Sequence, residues 1–84
     1  MKYAYVMIAA NNRQVIGNYD GSRWRFIIRR FPDRPLIVTA KVIELEELGY
    51  VIIARRGSLA SVILSRPGID MLKSLKILSE KRIQ

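Results

Sequence analysis

Five stretches of the chain space their apolar residues at a recognisable period. Tyr3 to Ala10 is apolar, with Tyr3, Val6, Met7 and Ala10 at helical spacing, and Asn11-Asn12 ends it. Gln14–Tyr19 and Ser22–Ile28 then read as strands around Asp20-Gly21, a pair suited to a two-residue turn with positive φ at both positions. That turn sets Tyr19 opposite Ser22, Gly17 opposite Trp24 and Val15 opposite Phe26. Those six share one face, and the other carries Gln14, Asn18, Arg23 and Arg25, with Ile16 and Ile27 as exceptions. The same segment admits a second reading. Trp24, Ile27, Ile28 and Phe31 also recur at i, i+3, i+4 and i+7, with Ser22 as a cap, so a helix over 23–31 stays open.

After the loop Phe31-Pro32-Asp33-Arg34-Pro35, Val38, Val42, Leu45 and Leu48 form a helical stripe. Thr39 is placed to cap the first turn, and Gly49 stands where a left-handed terminator is wanted. Ala40, Ile43, Glu44 and Glu47 lie opposite that stripe. Tyr50–Ala54 and Leu59–Leu64 follow as β-branched strands joined through Arg55-Arg56-Gly57-Ser58. A last helix opens with Ser65 as cap and Pro67 in its first turn, and repeats Ile69, Leu72, Leu75 and Leu78, widened by Met71 and Ile77. Residues 1–84 are expected to form one α+β domain.

Composition narrows the chemistry. The 84 residues hold neither cysteine nor histidine, which removes disulfides, thiolate zinc sites, and every serine–histidine or histidine-ligand arrangement. No paired acidic motif replaces them. A cofactor-free, metal-free, non-catalytic, cytoplasmic binding module is the expectation. The N-terminal apolar run, preceded by Lys2, resembles a short signal peptide but leads straight into the domain and reads as structural. No run approaches the ~20 residues that span a bilayer, so no membrane partner is expected. Fifteen lysines and arginines against seven acids leave a net charge of +8, which attracts polyanions over long range.

The segment Thr39 to Val51, with Leu45-Glu46-Glu47-Leu48-Gly49-Tyr50-Val51 at its end, resembles the recognition helix and wing entry of prokaryotic winged-helix regulators. Leu64-Ser65-Arg66-Pro67-Gly68-Ile69-Asp70-Met71-Leu72 resembles the segment that closes the wing and opens the last helix. The likeness covers roughly residues 38–78. It implies a winged helix-turn-helix domain, with an additional N-terminal helix and hairpin, that binds double-stranded DNA as a small transcriptional regulator. It implies base contact through Thr39, Ala40 and Ile43, and a homodimer through the terminal helix.

Charge refines the expected contacts. The helix Val38–Leu48 exposes Glu44 and Glu47, with Lys41 as its cation, and carboxylates repel phosphate. Contact is therefore expected at the wing tip, Arg55, Arg56 and Ser58, and along the basic run Arg23, Arg25, Arg29, Arg30 and Arg34, with Thr39 and Lys41 carried over from the resemblance. Lys73, Lys76, Lys81 and Arg82 serve the helix dipole. Two other readings compete. One is a protein-interaction module using the acidic helix and basic strand. The other is single-stranded nucleic acid stacking on the Trp24 hairpin, which requires that ring to be exposed.

Overall fold

A computed structural model describes residues 3–30 and 34–76. The elements are α1 (Ala4–Asn11), β1 (Val15–Tyr19), β2 (Trp24–Ile28), β3 (Leu36–Ile37), α2 (Thr39–Glu47), β4 (Val51–Arg56), β5 (Leu59–Leu64) and α3 (Arg66–Ser74). The strands form one antiparallel sheet in the order β3-β2-β1-β5-β4. Residues 24–28 are strand, which settles the choice between strand and helix there. The domain is α+β with three helices, as expected, but the two hairpins are fused into a single sheet by the β1–β5 pairing. In the winged-helix plan a compact pair of helices precedes the recognition helix. Here α1, the β1–β2 hairpin and β3 precede α2, so the helix number and order are not those of a winged-helix domain.

Alternation explains the layering. Val15, Phe26, Ile28, Val51, Ala60, Val62 and Leu64 all project from the same face and are buried. Val6, Met7, Ala9 and Ala10 of α1, Val42 and Leu45 of α2, and Leu72 of α3 close over them. The three helices therefore share one side of the sheet. Gly17 is required there, because the Phe26 ring lies where a Cβ would stand.

Several local expectations change. The first turn spans four residues, and the register is Tyr19 with Trp24, Gly17 with Phe26 and Val15 with Ile28. Asp20 causes this: its Oδ1 accepts from the Ser22 and Arg23 amides at 2.9 and 3.1 Å, so the turn closes later. A slip of two preserves every facing, which is why the predicted faces hold. Thr39 caps nothing. The chain leaves β3 after two residues, and the Thr39 hydroxyl accepts from the Phe26 amide at 2.9 Å in place of a ladder carbonyl. The second hairpin turns on Gly57-Ser58 alone, with Gly57 at φ 60°, so Arg55 and Arg56 are the last residues of β4.

The ends of the other helices follow the sequence more closely. Ser65 accepts from the Gly68 amide at 3.1 Å and donates to the Gly49 carbonyl, tying α3 to the end of α2. Gly49 takes φ 84°. Leu72 is buried, Ile69 and Met71 are half-buried and Leu75 is exposed. The α3 helix ends at Ser74, with Lys76 left-handed. Phe31, Pro32, Asp33, Ile77, Leu78, Lys81 and Arg82 lie outside the described residues.

Candidate nucleic-acid interface

Pairing of β1 with β5 sets the two hairpin turns side by side, and the Tyr19 amide donates to the Ser58 carbonyl at 2.9 Å to join them. Arg23 and Arg25 from the first hairpin, and Arg55 and Arg56 from the second, are thereby gathered at one end of the sheet. All four are exposed. Arg55 and Arg56 project to opposite faces, as neighbours on a strand must. On the open face one row reads Arg25, Asn18, Leu59, Arg56 across four strands.

On the helix-covered face the Arg55 guanidinium lies 5.3 Å from the centre of the Trp24 ring. Trp24 is half-buried, with its centroid 5.5 Å from Tyr19 and 6.2 Å from Phe26. The aromatics build a wall that holds Arg55 in place, worth about 0.5–1 kcal/mol at such exposure. The open face, by contrast, presents no aromatic side chain among the described residues. It offers no stacking platform for unpaired bases.

One carboxylate stands at this end. Its two backbone donors, Arg23 and then Ser22, hold the Asp20 carboxyl below its ordinary value of 3.8, with a smaller contribution from the Arg23 and Arg25 charges. Asp20 makes no ion pair with a described residue. Among the described residues the one ion pair is Arg66 Nε to Asp70 Oδ1 at 3.5 Å, exposed and of little energetic weight. The glutamates of α2 do not neutralise the arginine cluster.

Of the remaining expected contacts, Arg34 borders a hollow beside Asn18, Asp20 and Arg25, with Ile27, Pro35 and Ile37, and the others lie elsewhere. Arg29 follows β2, its amide donating to the Gln14 carbonyl at 3.0 Å, at the opposite end of the sheet. Arg30 and Arg34 border a shallow hollow with Pro35 and Leu36. The Thr39 hydroxyl is committed to Phe26, and the Lys41 ammonium sits 5.8 Å from the Tyr3 ring centre. The convergence of Arg23 and Arg25 with Arg55 and Arg56 had no local signal, since it comes from pairing between distant segments.

Among the described residues no group of three or more acidic side chains could hold a metal ion, and no helix is long and apolar enough to cross a membrane. No protein family, curated protein or solved structure matches the chain.

Proposed function

We propose that the protein binds duplex DNA through its paired hairpin ends, as a small regulatory or architectural protein on a modified winged-helix plan. The observation that carries this reading is the assembly of Arg23, Arg25, Arg55 and Arg56 on one end of the sheet, unpaired with carboxylates among the described residues. Four strands about 4.8 Å apart make that end roughly 14 Å wide. A ~6 Å minor groove cannot admit it, and even a ~12 Å major groove is narrow for it. It therefore straddles a groove and reaches phosphates on both strands. Such contact positions the protein and carries little sequence information. The α2 helix, with Glu47 exposed and Thr39 and Lys41 engaged internally, contributes little to affinity.

Titration of duplex at several salt concentrations tests this. Replacing Arg55 and Arg56 by alanine weakens binding and reduces the log–log salt slope by about two. An unchanged slope would remove the second hairpin from the interface. Absence of any duplex binding at low salt would sink the proposal.

A further inference from the structure

A hollow of about 460 Å³ opens on the side of the sheet away from the helices, along β1, β2 and β3. Strand pairing builds it. Asn18 stands beside Arg25 and Ile27 beside Ile37, and alternation turns all four to the uncovered face. Arg34 and Pro35 line it from the approach to β3, and Asp20 from the first turn. Ile27, Pro35 and Ile37 give it an apolar floor, with Ile37 59% exposed. From this we infer that the hollow binds a small organic anion, a carboxylate or phosphate monoester carrying an apolar body.

Charge and shape select that class. Arg25 and Arg34 are exposed and make no ion pair with a described residue. Their guanidinium forks match the oxygens of carboxylate and phosphate, and such charge-assisted bonds are strong. Among the described residues Asp20 is the one acid of the lining, and its Oδ1 already accepts from the Ser22 and Arg23 amides. The lining therefore keeps one positive charge in excess, which an anion neutralises. Asn18 adds an amide able to donate to the same head. An inorganic ion would leave the isoleucines in water, whereas an apolar body covers them. The volume falls within the ~300–1,000 Å³ of small-molecule sites. Arg25 also belongs to the row proposed to meet DNA phosphate, so ligand and duplex compete for it. That consequence alone rests on the proposed function.

Amide chemical-shift titration of the full, isotope-labelled chain without nucleic acid tests the inference. The probes are phenyl phosphate, benzoate, inorganic phosphate and benzyl alcohol. The two aromatic anions are expected to give saturable shifts centred on Asn18, Ile27 and Ile37, and the tighter one identifies the head group. Inorganic phosphate lacks the apolar body and benzyl alcohol the charge, so each is expected to bind at least about 10-fold more weakly. Arg34→Ala is expected to weaken the tighter anion about 10-fold. Ile37→Ser, also at an exposed position, gives an independent loss, and Arg66→Ala, on α3 across the sheet, leaves binding unchanged. Absence of saturable shifts from both aromatic anions overturns the inference. So does inorganic phosphate binding as tightly as they do, or an equal loss from Arg66→Ala, since either means that positive charge alone attracts the anion. Anion binding without any duplex binding overturns the proposed function alone, and the reverse overturns this inference alone.

Discussion

Gly17 and Asp20 show how much a single position constrains. The Phe26 ring occupies the space above Gly17, so any side chain there must displace a fully buried aromatic. Gly17→Ala is expected to lower stability by about 1–3 kcal/mol in chemical denaturation. The Asp20 carboxylate organises the first turn through two amides, and these hold its acidity above that of a free aspartate. The group binds its proton less readily folded than unfolded. Its contribution is therefore present above the ordinary value of 3.8 and is lost as pH falls through the lowered one. Asp20→Asn keeps the acceptor and removes the titration. Below about pH 4 the variant's urea midpoint should fall less steeply with pH than the wild type's.

Among the elements, the end of α2 and the start of α3 could be read almost to the residue. Their apolar spacing, the Ser65 cap, Pro67 and Gly49 are all local signals that act within one turn. The start of α2 was misread because a threonine before a helix ordinarily caps it. Here Thr39 serves β2 instead, a contact thirteen residues away in sequence. Thr39→Val leaves the half-buried Phe26 amide without its acceptor and is expected to cost about 1–3 kcal/mol. Duplex affinity of the folded variant should stay unchanged, and a specific loss of affinity would return Thr39 to the interface. The two-residue strand β3 had no periodicity to reveal it. The register of the first hairpin was off by two, because the aspartate side chain lengthens the turn without changing which face each residue occupies.

At the scale of the whole molecule, the decisive feature is the β1–β5 pairing. It merges two hairpins into one sheet, aligns their turns, and divides the arginines between opposite ends. If the tips act together, replacing Arg23 and Arg25 by alanine should reduce the salt slope of duplex binding about as much as replacing Arg55 and Arg56, by about two. Replacing Lys73 and Lys76 on the far side of the fold should leave it within about half a unit. Equal effects from all three pairs would mean that net charge alone governs binding.

Local periodicity and turn chemistry determined, without the fold, the order helix, hairpin, helix, hairpin and helix except for the choice between strand and helix over 23–31, and which residues of the first hairpin share a face. These are properties of neighbouring residues, governed by the 3.6 and 2.0 repeats of the backbone. The absence of histidine and cysteine and the charge of +8 were equally plain. Tertiary structure alone decided that the two arginine pairs meet and that one face of the sheet is left open. Both follow from strand pairing between distant segments, which no local repeat encodes.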